Sequence, residues 1–198
     1  MRSKTKNRNF ILENYRKSFN YLKESLNYIY VMIILFFIFA LIGFFIPAPL
    51  VLHEKIMELI REILEQTKGM SLFELITFIF FNNLKVGILS VVLGILFGVV
   101  PIVFSISNGY LLGFVASITA KEEGILALWR ILPHGIFELP AVFISLALGL
   151  KLGVWLFLDK KEKFSSNVLN TVRIFVSIVV PLLIIAALIE GILIFLSQ

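Results

Sequence analysis

Hydrophobic residues occur in this chain in long stretches separated by shorter polar segments. A transmembrane helix needs roughly 20 predominantly apolar residues, which is about the length of most of these stretches. The pattern predicts five membrane spans, at about 28–47, 86–106, 109–128, 134–158 and 174–196. Because residues 109–119 are apolar for only a short distance, the third segment either extends to residue 128 or forms a re-entrant half-helix.

The apolar run between residues 72 and 106 is longer than one crossing needs. Asn82, Asn83 and Lys85 interrupt it. We therefore expect residues 72–81 to lie at the membrane surface or obliquely, and the second span to start at about residue 86. Ser71 followed by Glu74 is the pattern of a capping box, which predicts a helix that begins at about residue 72.

Two polar segments show the periodicity of amphipathic helices. In residues 9–27, apolar side chains recur at helical spacing among basic ones, which predicts a helix on the cytoplasmic membrane surface. In residues 50–68, an apolar face that includes Leu52, Ile56 and Ile63 opposes a charged face. This second pattern predicts an amphipathic helix on the outer side.

Composition indicates a membrane protein, since 59% of the 198 residues are hydrophobic and the mean hydropathy is +0.98. A soluble domain has an apolar share of roughly 45–50%. The predicted fold is an all-α, polytopic transmembrane bundle, with a basic cytoplasmic segment at 1–27 and one transmembrane domain at 28–198. The Lys-, Ile- and Phe-rich composition is typical of a thermophile, and the absence of Cys excludes disulfides, thiolate metal sites and a cysteine nucleophile.

Basic residues outnumber acidic ones before the first span, and the net charge of the chain is +5. Segments rich in Lys and Arg stay on the cytoplasmic side, so we expect the N-terminus inside and, after five spans, the C-terminus outside. Beside a span, such a segment favours anionic lipid headgroups over nucleic acid as its partner. The expected location is the cytoplasmic membrane.

Small residues recur at every fourth position in three of the apolar stretches. Such rows let helix backbones approach closely in lipid, where no hydrophobic effect drives helices together. They predict a compact bundle or a close homodimer. The rows are Ser90, Gly94 and Gly98; Gly109, Gly113 and Ser117; and Ala141, Ser145, Gly149 and Gly153.

Ionisable residues are rare inside membrane spans and usually mark functional positions. His134 and Glu138 lie four residues apart at the head of the third row of small residues, and Glu190 lies in the last span. We expect these three residues to form one polar cluster with Asn83. Asn108 is expected on the inner side unless its segment is re-entrant.

Helix breaks are expected at Pro101, Pro140 and Pro181, because proline lacks the N–H that continues a helix. Pro140 leaves the carbonyl of Ile136 without its usual partner. Irregular backbone at membrane depth persists only inside protein or beside a water-filled cavity. A kinked or broken helix therefore carries the predicted cluster.

The predicted cluster has four interpretations. His134, Glu138 and Glu190 offer three ligands to a divalent metal, although the H-E-x-x-H pattern of zinc enzymes is absent. The second interpretation is a hydrolase, which would need a nucleophile, but no serine motif of the nucleophile-elbow kind occurs. The third interpretation is a polar clamp that holds helices together. The fourth is a conduit for an ion or small solute. We favour the clamp, so no catalytic residue and no cofactor is predicted, and a divalent metal is the alternative.

Four ordered motifs resemble the stage II sporulation protein M-like family of integral membrane proteins: NN before a Gly-rich span, NGYLLG, PHGIFELPA and PLLIIAALIEG. The resemblance covers roughly residues 20–198. Its specificity comes from the number and order of the motifs. The matching positions are Asn83, Asn108, Gly109, His134, Gly135, Glu138, Pro140, Glu190 and Gly191.

This resemblance implies a helical membrane fold and a role as a non-catalytic scaffold or assembly component. The sporulation member of the family is a membrane part of the machinery that remodels the septal wall, where it anchors wall hydrolases. We accordingly expect membrane or cell-envelope proteins as partners. A small transporter or channel is the alternative function, and a metal-dependent membrane enzyme is the third.

Overall fold

The computed structural model describes residues 16, 17, 19–130, 132–158 and 163–197, and this part of the chain is helical without any strand. The α-helices are α1 Leu26–Phe45, α2 Leu50–Thr67, α3 Leu72–Gly94, α4 Val99–Glu122, α5 Leu132–Trp155, α6 Phe164–Ile174 and α7 Val180–Ser197. A 3-10 segment, Ile125–Arg130, precedes α5, and a π-helical turn, Phe175–Val179, joins α6 to α7.

Five helical segments of the described chain are long and apolar enough to cross a membrane. They confirm the predicted all-α transmembrane bundle, and the chain is a multi-pass membrane protein. The spans are Leu26–Phe45, Leu72–Gly94, Val99–Glu122, Glu138–Trp155 and Phe164–Leu196.

The second and third spans have different bounds from those expected at 86–106 and 109–128. Residues 72–81 do not form a separate surface element, because α3 continues through Asn82, Asn83 and Lys85 to Gly94. The chain reverses at residues 95–98, where Gly98 has a φ of +71°, a left-handed conformation that glycine adopts without a steric penalty. The turn replaces the middle of the expected second span, and α4 starts a new crossing rather than a re-entrant half-helix.

The helix start predicted at residue 72 is confirmed. The side chain of Ser71 accepts a hydrogen bond from the backbone N–H of Glu74, and the Glu74 carboxylate accepts one from the backbone N–H of Ser71 at 2.8 Å. This reciprocal capping box satisfies two N–H groups that a helix start leaves free.

The three prolines act differently from the expected helix breaks. Pro101 lies in the first turn of α4, where a proline costs no internal hydrogen bond. Pro140 lies inside α5, which continues through it as one helix. Pro181 follows the π-helical turn Phe175–Val179, in which the N–H of Val180 bonds to the carbonyl of Phe175. The lost N–H of Pro181 is thus accompanied by a local widening of the helix rather than by its end.

The two predicted amphipathic segments differ in how much of them the structure describes. The outer segment expected at 50–68 is α2, Leu50–Thr67. Of the segment expected at 9–27, residues 19–24 are helical and lead through Ser25 into α1. Residues 9–15 and 18 lie outside the described residues.

α5 is the central helix of the bundle. Within its membrane-spanning window 61% of the residues are buried, against 17–28% in the other four spans. Leu146, Ala147 and Leu148 have no exposed surface. α1 and α4 pack along each other on one side of α5, and α3 and α7 pack on the other.

Small residues form the closest helix contacts. A Cβ added at Gly94 would overlap the backbone of Gly149, so the first and third rows of small residues face each other across α3 and α5. Gly109 and Gly113 instead meet the backbone of α1, at Phe36 and Ala40. Two helix pairs are therefore in backbone contact, which the absence of side chains at these positions permits.

Candidate functional site

A narrow crevice lies where α3, α5 and α7 meet. It is too narrow to admit a water-sized sphere. The hydroxyls of Ser90 and Ser145 donate to carbonyls of their own helices, at Val86 and Ala141, over 2.7 and 2.8 Å. The lining residues are Asn83, Val86, Gly87, Ser90, Val142, Ser145 and Leu183.

Gly87 lines this crevice opposite Phe175 and Ser145. A Cβ at Gly87 would lie 3.2 Å from the ring of Phe175 and 3.2 Å from Oγ of Ser145. The π-helical turn that carries Phe175 therefore fits against α3 only because position 87 has no side chain. The sequence pattern did not include Gly87 in any row of small residues.

Glu138 lies one turn before Val142 on α5, close to the level at which Asn83 lines the crevice. It is partly buried, its Oε2 atom is fully buried, and the residue has an interaction within the chain. Counting back seven residues from Ser145, which faces Gly87, Glu138 is level with about residue 80 of α3, between the levels of Asn83 and Ile76.

Glu190 lies closer to the start of α3 than Glu138 does, by roughly 5 Å along the helix axis. Its neighbour Gly191 packs against Ile76 of α3. Because a helix rises 1.5 Å per residue, the level of Ile76 is roughly 10 Å from that of Asn83. Like Glu138, Glu190 has a fully buried Oε2 atom and an interaction within the chain.

The expected four-residue cluster stays a prediction, because the side chain of His134 lies outside the described residues. The backbone of His134 is in the first turns of α5. Among the described side chains, no group of three His, Cys, Asp or Glu is arranged to hold a metal ion. The metal set of His134, Glu138 and Glu190 is outside that search.

Asn108 is separate from the crevice. It is exposed on α4, and its Nδ2 donates to the carbonyl of Phe104 in its own helix at 2.8 Å. Its neighbour Gly109 faces α1.

A second polar site, which the sequence patterns did not reveal, is centred on Lys151 of α5. This lysine is only 6% exposed. Its ammonium donates to Oγ of Ser25 at 3.1 Å and to the carbonyl of Tyr21 at 3.4 Å, and it lies 3.5 Å from Oε2 of Glu24. The same Nζ lies 3.4 Å from the centroid of the Tyr21 ring, a cation–π geometry.

The Lys151 site joins three segments of the chain. Ser25 donates to the carbonyl of Tyr21 at 2.7 Å, and the Tyr21 hydroxyl lies 3.4 Å from Oγ1 of Thr171 in α6. The helical residues before α1 are therefore fixed to both α5 and α6. A lone lysine in an apolar run is the sequence signal for such a site, since a buried charge needs partners.

The polar face of α2 borders an open groove. Its volume is about 630 Å³. The ring of His53 packs edge-on against Phe114 of α4, 5.2 Å between centroids, and fixes the start of α2 to the bundle. The described lining residues are His53, Glu54, Met57, Glu58, Arg61, Glu62 and Glu65.

Comparison with known families gives a match over most of the chain. The model of the family described as Stage II sporulation protein M matches residues 31–193. The matched region begins within α1, contains α2 to α6 and ends within α7.

One curated relative is an uncharacterized protein of Methanocaldococcus jannaschii, 44% identical over 87 residues. That alignment covers 41% of this chain and 49% of the relative, so it spans about half the relative's length. No solved structure matches the chain.

Proposed function

We propose that this chain, which belongs to the stage II sporulation protein M family, is an integral membrane assembly component that holds partner proteins at the membrane. The proposal includes no catalytic step. The observation that carries it is the contrast between a closely packed bundle interior and α2, whose polar face borders a groove of about 630 Å³.

Contacts inside the bundle support a structural role for the spans. Glycines bring the backbones of α3 and α5 together, and the serines beside them bond to carbonyls of their own helices. Polar groups satisfied in this way are buried between helices without needing a ligand.

The groove along α2 supports the partner-binding part of the proposal. Four of its described lining residues are glutamates and one is an arginine, so the described surface is mainly acidic. Such a surface favours a partner segment with basic or hydrogen-bond-donor side chains. We place this surface outside the cytoplasm, in line with the basic character of the N-terminal segment.

Site-specific photo-crosslinking in native membranes tests this assignment. A benzophenone amino acid at Glu58 faces the groove, whereas the same probe at Ile63 lies on the apolar face of α2, and both positions are exposed. We expect a discrete protein adduct from position 58 and only lipid adducts from position 63. Reversing the charge of Glu54 and Glu62 should remove the adduct from position 58.

Equal adducts from both positions, or an adduct that the charge reversal leaves unchanged, would contradict the proposed surface. The Ile63 probe controls for the abundance and membrane insertion of the labelled chain.

A small transporter is the second candidate, and one observation favours it. Glu138 is an ionisable residue within a membrane span, and such residues often line transport paths. Flux across proteoliposomes distinguishes the two functions, because the assembly role predicts that flux does not depend on Glu138.

A further inference from the structure

Lys85 lies near the middle of α3. By the helical rise of 1.5 Å per residue, it is roughly 20 Å from the start of the helix at Leu72 and roughly 14 Å from its end at Gly94. Neither end of the helix is therefore close to this charged side chain.

Contacts between helices give the depth of Lys85 independently. Gly149 of α5 touches Ser90 of α3 and Pro101 of α4, so Ser90 and Pro101 lie at similar depth. α3 and α4 run in opposite directions from the turn between them. Gly149 contacts both Ser90 and Gly94, which lie five and nine residues after Lys85 in α3. An equal number of residues after Pro101 in α4 gives the level of Lys85, at about residues 106–110.

The same region of α4 lies beside the middle of α1. Gly109 packs on the backbone of Phe36, and α1 and α4 run in the same direction. Phe36 is close to the midpoint of Leu26–Phe45, a span of 20 residues without a charge. Lys85 is therefore at the mid-depth of the apolar layer.

The side chain of Lys85 is exposed on the face of α3 that points away from the bundle. The packed face of the helix carries Gly87, Ser90 and Gly94. On the outward face Phe81 is 60% exposed and Val92 is 54% exposed. Within the described part of the chain, Lys85 has no hydrogen bond or ion pair.

Lys85 cannot reach the membrane surface from this position. A lysine side chain extends roughly 6 Å by standard bond lengths, less than half the distance to Gly94. Side chains of a helix also lean towards its N-terminus, which here directs Lys85 away from the nearer end. A lysine at this depth requires a polar partner or local water.

We propose that the outward face of α3 binds a transmembrane helix of a partner protein that carries an Asp or Glu at mid-depth, paired with Lys85. Phe81, Lys85, Ile88 and Val92 lie at the i, i+4, i+7 and i+11 spacing of a helix-binding stripe, with the exposed Asn82 beside it. Charge complementarity identifies the occupant, since a carboxylate on the partner neutralises the ammonium of Lys85, the one charged group of the stripe.

A second copy of the chain is the less suitable occupant. A symmetric contact through this stripe would bring two Lys85 side chains together, because the same patch meets itself across a two-fold axis. The inference extends the proposed assembly role to a second surface, and it does not use the groove along α2. A failure at Lys85 therefore leaves the crosslinking result at Glu58 unaffected.

Synthetic helices test this pairing in liposomes that contain the full-length chain. Three labelled 22-residue Leu/Ala helices differ only in a central Glu, Gln or Leu, and energy transfer to the labelled chain measures association. We expect the Glu helix to associate about fivefold or more tightly than the Leu helix. Lys85→Met should abolish this preference, whereas Lys85→Arg should retain it.

Lys121→Met is the matched control, because it removes a cation from the exposed end of α4 rather than from mid-depth. It should leave the preference for the Glu helix unchanged. Equal binding of the Glu and Leu helices, or a preference that survives Lys85→Met, would overturn the pairing. Self-association of the chain or an anion conductance that depends on Lys85 would also overturn it, in favour of a second copy or a pore.

Discussion

Gly149 of α5 and Ser90 of α3 are in backbone contact, so close that a Cβ at Gly149 would overlap the carbonyl of Ser90. The same glycine also touches Pro101 of α4. One position without a side chain therefore sets the spacing of three helices.

Gly149→Ala should lower the free energy of unfolding by about 1–3 kcal/mol, because the added methyl group meets rigid backbone rather than a movable side chain. Thermal unfolding in nanodiscs measures the change. Gly135→Ala is the control within α5, since the nearest atoms there belong to the flexible side chain of Leu139. A loss at position 135 as large as that at 149 would contradict this account of the contact.

Lys151→Met should release the helical residues before α1 from the bundle. The variant removes hydrogen bonds to Tyr21 and Ser25 and the cation–π contact, a loss of about 1–3 kcal/mol for a charged donor. Hydrogen–deuterium exchange should rise in residues 19–25 and stay unchanged in α4.

Glu24→Gln provides the comparison for Lys151. Glu24 is 62% exposed, so its ion pair is screened by solvent and should contribute about 0–1 kcal/mol. If Glu24→Gln loosened residues 19–25 as much as Lys151→Met, the ion pair rather than the buried contacts would hold this segment.

Ser105→Ala should destabilise the pair formed by α1 and α4. The buried hydroxyl of Ser105 donates to the carbonyl of Met32 at 2.9 Å, and hydrogen bonds between membrane helices contribute about 0.6–2 kcal/mol. Ser107→Ala, at an exposed position of the same helix, should change the melting temperature little. Similar effects of the two substitutions in nanodiscs would argue against an interhelical bond of this strength.

Glu138→Gln should leave solute flux through proteoliposomes unchanged, because the assembly role assigns no transport step to this carboxylate. The substitution keeps the shape of the side chain and removes its charge. A panel of labelled cations, anions and small polar solutes is the appropriate readout. Flux in the wild-type chain that disappears in Glu138→Gln would favour the transporter.

The number of spans followed directly from the lengths of the apolar stretches, but two of their boundaries did not. Lys85 and two asparagines suggested a membrane border, because a charge at mid-depth is uncommon. The two spans are instead separated by the turn at 95–98. Gly98 in this turn and Gly94 just before it belong to a row of small residues. Glycine serves both close helix packing and the reversal of the chain. The glycines therefore did not mark the turn, and the polar residues at 82–85 favoured the wrong boundary.

Pairing between helices was the other feature that the sequence could not specify. A row of small residues indicates which face of a helix allows close approach, but Gly94 meets Gly149 whereas Gly109 meets Phe36. The partner of each row depends on tertiary arrangement. The Lys151 site could not be predicted for the same reason, since the hydrogen-bond partners of Lys151, Tyr21 and Ser25, are distant from it in sequence.

The mass of the particle that contains this chain in gently solubilised native membranes tests the assembly role most directly. We predict a heteromeric complex well above the 22.5 kDa of the chain, which shifts to lower mass when Glu54 and Glu62 in the α2 groove are reversed to lysine. A chain that is found alone or only with copies of itself, with the same mass in wild type and variant, would contradict the account.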